Sequence, residues 1–240
     1  SYSVVASLND NGLVCSGPPT LAVVQVNPLP VISASTLNDT ICSGVTSSVY
    51  LNSTVNPTSY AWTCVSSGAV TGYSNNSGST IAQSLNNSSN LLQYVTYNVS
   101  SNASFNGITC PGNNLSIDLY VVPNPIVSFS LANDSICSGT QNNPVYLSTT
   151  TPDSSFTWTA NAVGVTGYTT SGTSIIPAQT LLNSSATVNN VVFTANAHVL
   201  GCTGPSNTYT ISVKPIPQIT NASALQTICS GTSTTAINLT

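Results

Sequence analysis

Short apolar runs rich in β-branched residues recur along the chain, and polar turn signals break them every 8–12 residues. Val23-Val24-Gln25-Val26, Val121-Val122 and Tyr209-Thr210-Ile211-Ser212-Val213 are such runs, and branched or aromatic side chains suit the pleated, half-buried surface of a strand. Asn11-Gly12, Ser67-Gly68, Asn106-Gly107 and Ser171-Gly172 supply turn chemistry between them. Gly, Pro, Ser and Asn punctuation leaves no helical stretch of 10 or more residues. The pattern predicts an all-β chain.

The pattern also repeats. Ile-Cys-Ser-Gly begins at Ile41, Ile136 and Ile228, in steps of 95 and 92 residues. Cys-x-Gly at Cys15, Cys110 and Cys202 keeps the same two steps, 95 and 92. Pro-x-Pro falls at Pro28/Pro30, Pro123/Pro125 and Pro215/Pro217, Trp-Thr at Trp62 and Trp158, and Val-Thr-Gly-Tyr ends at Tyr73 and Tyr168. These landmarks define repeats over 31–125 and 126–217. Residues 1–30 match the end of a preceding repeat and 218–240 the start of a following one, so the expectation is a window on a longer array. A unit of 92–95 residues with one Trp and roughly seven strands predicts an Ig-like β-sandwich. Within the first repeat, Val31–Ser35 is expected to form the first strand, Ser48–Thr54 the second and Ser59–Val65 the third, with Trp62 in the core. Leu92–Val99 and Leu115–Val122 form the last two. Proline at each joint fixes φ and removes a donor, so tandem units are expected to form a rod.

Composition narrows the chemistry. Of 240 residues, 40% are hydrophobic, enough for a core, but charged residues make up only 2%, against about a quarter in an average soluble domain. The 39 Ser, 33 Thr and 28 Asn must carry the solvation. There is no Arg, and Lys214 is the lone Lys, so nothing forms a footprint for nucleic acid or anionic lipid. There is no Glu, and His198 is the only His. No catalytic residues, metal site or cofactor site can be assembled from this set, and the chain is expected not to be an enzyme. No apolar run approaches the roughly 18 residues of a membrane span.

The order Ile-Cys-Ser-Gly, Trp-Thr, Gly-Tyr, Cys-x-Gly, Pro-x-Pro resembles the PKD-like and Ig-like repeats of giant secreted surface adhesins of Bacteroidota. The resemblance covers the whole chain. It implies tandem β-sandwiches, export by the type IX pathway and a role in adhesion, gliding or filament formation. The Trp-Asp-Phe-Gly-Asp-Gly of typical PKD repeats is missing. Trp62 is followed by Thr63-Cys64 and Trp158 by Thr159-Ala160, so the resemblance by itself does not imply the calcium or carbohydrate role of ordinary PKD domains.

Seven cysteines in so polar a chain point to an oxidising, extracellular setting. Cys15, Cys42, Cys110, Cys137, Cys202 and Cys229 hold repeat-equivalent positions and are the disulfide candidates. Cys64 is the odd one, two residues from Trp62 on a strand and so facing inward. It is expected to be a free, buried core residue. Pairing within a repeat gives Cys42–Cys110 and Cys137–Cys202. Pairing across 27 residues gives Cys15–Cys42, Cys110–Cys137 and Cys202–Cys229. Pairing between repeats gives Cys42–Cys202. In an Ig-like sandwich, Cys42 and Cys110 fall at opposite poles, beyond the roughly 7 Å that a disulfide spans. This favours Cys42–Cys202, with the within-repeat scheme as its rival.

Asp39-Thr40-Ile41 and Asp134-Ser135-Ile136 resemble the Bacteroidota O-glycosylation motif, which makes Thr40 and Ser135 candidate acceptors. The alternative is an Asp side chain holding a turn before the next strand. Tyr73 and Tyr168 follow Gly at equivalent places and either bind sugar or pack over the sandwich end. With few charges to guard strand edges, the surface is expected to be coated by glycans or covered by neighbouring chains. The function read from the sequence is a stiff structural stalk. Its partners would be further copies of the repeat and laterally associated chains. The alternative is a glycan- or surface-binding module, and exposed aromatics in register on one face would favour it.

Overall fold

In a computed structural model of the chain, residues 1–219 and 225–236 are described. Among them every regular element is a β-strand, and the strands form two compact units. Near the start, β1 (Tyr2–Val4) and β2 (Ser7–Asp10) turn back onto β3 (Leu13–Ser16) and β4 (Thr20–Ala22).

The first sandwich comprises β5 (Ile32–Ala34), β6 (Asn38–Cys42), β7 (Val49–Ser53), β8 (Thr58–Ser66), β9 (Val70–Thr71), β10 (Asn76–Ser77), β11 (Thr80–Ile81), β12 (Asn86–Asn87), β13 (Gln93–Phe105), β14 (Ile108–Pro111) and β15 (Leu115–Val122). Its larger sheet has the order β10-β8-β13-β15-β6, with β14 continuing along β13, and its smaller sheet the order β11-β7-β5.

The second sandwich repeats this plan. It comprises β16 (Ser128–Phe129), β17 (Asp134–Cys137), β18 (Val145–Ser148), β19 (Ser155–Ala162), β20 (Val165–Thr166), β21 (Ser171–Thr173), β22 (Ile175–Ile176), β23 (Leu182–Asn183), β24 (Asn189–Val199), β25 (Cys202–Thr203) and β26 (Asn207–Lys214). The order β21-β19-β24-β26-β17 matches the larger sheet strand for strand, and β22-β18-β16 matches the smaller. Short pairs, β9 with β12 and β20 with β23, close the same corner of each.

Alternation decides which face is buried. Along β13 the inward set is Val95, Tyr97, Val99, Ser101 and Ala103, and the intervening residues face out. Trp62 sits in the first core with Ile81, Leu85 and Leu119, and Trp158 in the second with Ile176, Leu181 and Phe193. The two cores share no residue.

The repeated motifs now have physical reasons. In Ile-Cys-Ser-Gly the Cys carbonyl accepts the N–H three residues on. The distances are 3.0 Å from Val45 to Cys42, 3.1 Å from Thr140 to Cys137 and 3.1 Å from Thr232 to Cys229. The third turn residue has φ of +87°, +83° and +87° at Gly44, Gly139 and Gly231, a left-handed conformation that costs Gly nothing and other residues about 1–2 kcal/mol. Cys-x-Gly and Pro-x-Pro occur together because they touch. A Cβ on Gly112 would lie 2.4 Å from the Pro30 carbonyl oxygen, and one on Gly204 would lie 1.7 Å from that of Pro125.

Several expectations need correction. The penultimate strand, expected over Leu92–Val99, runs from Gln93 to Phe105 as β13. Asn38–Cys42 and its counterpart are edge strands, not turns, and β17 pairs in parallel with β26. Ser171-Gly172 lies inside β21, where bare Gly172 leaves room for the Trp158 ring, 2.5 Å from where its Cβ would stand. The expected following repeat over 218–240 lies partly outside the described residues.

Candidate functional site

The cysteines come first, because the register fixes where they lie. In the second sandwich Cys137 is the register partner of Lys214, beside the pair Asn189–Val213, and Cys202 is the partner of Val199. From Asn189 to Val199 is ten residues of strand, about 33 Å at 3.3 Å per residue. Cys137 and Cys202 therefore occupy opposite ends of one sheet, and a disulfide spans only about 7 Å between Cα atoms. The first sandwich has the same layout, with the pair Gln93–Val121 at one end and Ala103–Cys110 at the other. Cys42 and Cys202 are disulfide-bonded. Cys15, Cys64, Cys110, Cys137 and Cys229 carry free thiols.

Cys64 is half-buried rather than buried, packed on the edge of the first core. Burial pushes its thiol pKa up, partly offset by a backbone hydrogen bond at Ser74. This disfavours the nucleophilic thiolate.

Thr40 and Ser135 are exposed on the edge strands β6 and β17. Each donates its backbone N–H to the preceding carboxylate, Thr40 to Asp39 at 2.8 Å and Ser135 to Asp134 at 2.7 Å. The Asp thus holds its neighbour locally, but on a strand and not in the turn expected from the sequence.

The remaining polar residues do not converge. His198 is half-buried on the outer face, its Nε2 2.8 Å from Thr157 Oγ1 and its Nδ1 2.9 Å from Thr203 Oγ1. That clasp ties β19, β24 and β25 together, where the sequence predicts a merely solvated strand residue. Asp118 accepts a 2.6 Å hydrogen bond from Thr96. Among the described residues no group of His, Cys, Asp or Glu could hold a metal ion. Among them, too, no helix is long and apolar enough to cross a membrane.

Tyr73 is exposed, while Tyr168 packs against the second core. The aromatics exposed in register are others, Tyr50 on β7 and Tyr146 on β18, 58% and 60% exposed. Each lies between buried neighbours, Val49 and Leu51 or Val145 and Leu147. The Val-Tyr-Leu triplet in both repeats is the sequence signal for them.

Against known proteins, the PKD-like domain family matches residues 39–125 and 134–217. No curated protein matches the chain. Among solved structures the chain is similar to protocadherin gamma B2 extracellular cadherin domains 3–6, with 13% identity, TM-score 0.40 and coverage of 90% of this chain and 59% of that one. It is similar to mouse cadherin-23 EC22–24 at 12% identity and TM-score 0.38, covering 79% of this chain and 67% of that. Likeness to the insect immune protein hemolin gives 15% identity and TM-score 0.38, covering 90% and 56%. The chain thus spans little more than half the length of two of these three structures. With one strand order built twice around a buried tryptophan, and a family match over each copy, the chain belongs to the PKD-like domain family.

Proposed function

We propose that the chain is a structural segment of a long extracellular adhesin or filament, in which PKD-like sandwiches over 31–125 and 126–217 repeat to build a stiff stalk. The number of repeats would set its length. The observation that carries this reading is the state of the cysteines. One framework cysteine from each copy, Cys42 and Cys202, is disulfide-bonded, while Cys110 and Cys137 are free. In this reading Cys42 joins Cys202 and staples one repeat to the next. The free framework cysteines Cys15, Cys110, Cys137 and Cys229 take the same role toward further copies. Pro123 and Pro125 stiffen the same joint, because their φ is fixed and neither donates a hydrogen bond.

A disulfide persists in an oxidising compartment, which supports a place outside the cell. The parent would be a giant surface adhesin of the Bacteroidota kind, exported by the type IX pathway and carrying O-glycans at Thr40 and Ser135. Two of the five acids, Asp39 and Asp134, sit on edge strands, where charge discourages unwanted pairing. The other edges are left to glycans or to ordered lateral contact between chains.

Peptide mass mapping of native, unreduced protein tests the proposal, using a protease that does not depend on basic residues. A Cys42–Cys202 peptide pair, with hexose masses on the peptides bearing Thr40 and Ser135, is the expected result. Cys42 linked to Cys110, or recovered free, sinks the staple; bare peptides sink the glycan coat.

A further inference from the structure

The outer face of the larger sheet in the first sandwich differs from its counterpart in one respect that points to a ligand. Register stacks its outward residues in rows. Tyr94 faces Tyr120; the next row is Val65, Thr96 and Asp118; then come Thr63, Asn98 and Ser116; then Ala61 and Ser100. Successive rows are two residues apart, about 7 Å, so the four span about 20 Å. At one end the two tyrosine rings lie 5.9 Å apart, tilted by 51°, with Tyr94 44% exposed. At the other end a shallow depression of about 500 Å³ is lined by Ala61, Thr63, Asn98, Ser100, Asn114 and Ser116. Between them the Asp118 carboxylate is held by Thr96 at 2.6 Å.

We infer that this face binds a neutral oligosaccharide, with one sugar on the tyrosine pair and the following sugars laid along the polar rows into the depression. Sugar rings have C–H-rich faces that pack on aromatic rings, and a tyrosine offers such a face while its hydroxyl stays wet. Sugar hydroxyls need donors and acceptors together. Asn supplies both from one amide, Ser and Thr from one hydroxyl, and a carboxylate accepts from two hydroxyls at once. The face has no cation: the chain has no Arg, and Lys214 belongs to the second sandwich. A phosphate, sulfate or uronate would therefore find no countercharge, which leaves an uncharged polyol as the ligand that fits.

The second sandwich is an internal control. Asn190 and Ser212 replace the tyrosine pair and hydrogen-bond to each other at 2.9 Å. Val192 and Thr210 replace Thr96 and Asp118. The same backbone there offers no aromatic platform.

This role is separate from the stalk, and its test does not depend on the disulfide map. The 240-residue chain is run through native gels containing galactomannan, xyloglucan or mixed-linkage β-glucan, with polygalacturonate as the anionic control. Retardation by at least one neutral polysaccharide and none by polygalacturonate is expected. Tyr94→Ala should weaken binding about tenfold, as loss of one stacked ring implies, and Tyr94→Phe should keep it. Asp118→Asn should weaken it as well, and Asn190→Ser should leave it unchanged. The inference fails if none of the three neutral gels retards the chain. It fails equally if retardation survives both Tyr94→Ala and Asp118→Asn, or if polygalacturonate retards the chain more strongly.

Discussion

The two sandwiches share a backbone plan but fill it differently. In the first, Ala34, Tyr97 and Ile117 occupy the places that Phe129, Phe193 and Tyr209 hold in the second. The second core is thus built on aromatics, with Phe193 5.7 Å from Trp158 and 6.0 Å from Tyr209. Some of the added volume is recovered where Val99 and Cys64 of the first core give way to Ala195 and Ala160. The buried hydroxyl has also moved from one strand to its neighbour. Tyr97 donates to Gln83 Oε1 at 2.9 Å, and Gln83 Nε2 donates to the Ser74 carbonyl at 2.7 Å. In the second core the Tyr209 hydroxyl and Gln179 Nε2 have no partner. The tryptophans contrast in the opposite sense: Trp158 Nε1 donates to the Ile175 carbonyl at 3.0 Å, whereas Trp62 Nε1 is unpaired. The lesson is that turns and inward alternation fix the frame, while the polar partners inside it are interchangeable.

Five substitutions break or sharpen this contrast. The largest effect is expected from Trp158→Ala, which removes the ring that Phe193 packs against and should cost about 3–5 kcal/mol. Because the cores share no residue, urea unfolding followed by Trp62 fluorescence should leave the first transition in place; loss of both transitions would show the cores to be coupled. Next is Gly204→Ala. Its Cβ would fall 1.7 Å from a backbone oxygen, so the Pro125 segment must move, at about 1–3 kcal/mol for overpacking, read as a drop in the second thermal transition.

Tyr97→Phe should cost about 1–2 kcal/mol by leaving buried Gln83 short of a donor, while Tyr209→Phe should be neutral or slightly stabilising. Equal effects of the two would refute the contrast drawn between the hydroxyls. A modest gain is expected at the hairpin between β24 and β25. Leu200 has φ of +46° where the equivalent hairpins use Asn11 and Asn106, so Leu200→Asn should raise stability by about 0.5–1 kcal/mol. An unchanged or lower melting temperature would show that the turn stores no strain.

Alkaline pH treats the two sandwiches alike. Burial pushes Tyr97 well above the ordinary tyrosine range. Burial and then the Asp134 carboxylate push Tyr209 up to about 12. The unfolded chain loses these protons near pH 10, before the folded one does. The stability gained by keeping these hydroxyls protonated is therefore full below pH 10 and is lost as pH rises through each folded value, about 12 for Tyr209 and higher for Tyr97. A pH titration of the melting temperature should show this loss in the second transition, and Tyr209→Phe should reduce it.

Much of the frame is legible in the sequence because glycine and proline act locally. The Cys-Ser-Gly turn needs only its own left-handed glycine, so it marks every copy. Leu115–Val122 is a strand of the same bounds in sequence and structure. Properties that depend on distant chain are not legible. The Asp39 and Asp134 segments read as turns because Asn-Asp is turn chemistry, but a neighbouring strand 70 or more residues away turns them into strands, running parallel to it in the second sandwich. The His198 clasp needs Thr157 from another strand, and the tyrosine platform needs Tyr94 and Tyr120 to share a register. Alternation puts Cys64 on the inward face, where it is half-buried and not buried.

The parallel edge strand has a mechanical consequence. The chain enters the second sandwich's larger sheet along β17 and leaves it along β26, and the two run side by side in the same direction over four register pairs, from Asp134–Ile211 to Cys137–Lys214. Tension applied through the two ends pulls these strands past each other along their axes. The hydrogen bonds between them lie across that pull and are strained together, so the ladder yields as a block instead of opening one bond at a time like a zipper. A four-residue edge strand thus serves as a shear clamp, resisting force applied along the axis on which the two ends of the domain are pulled apart.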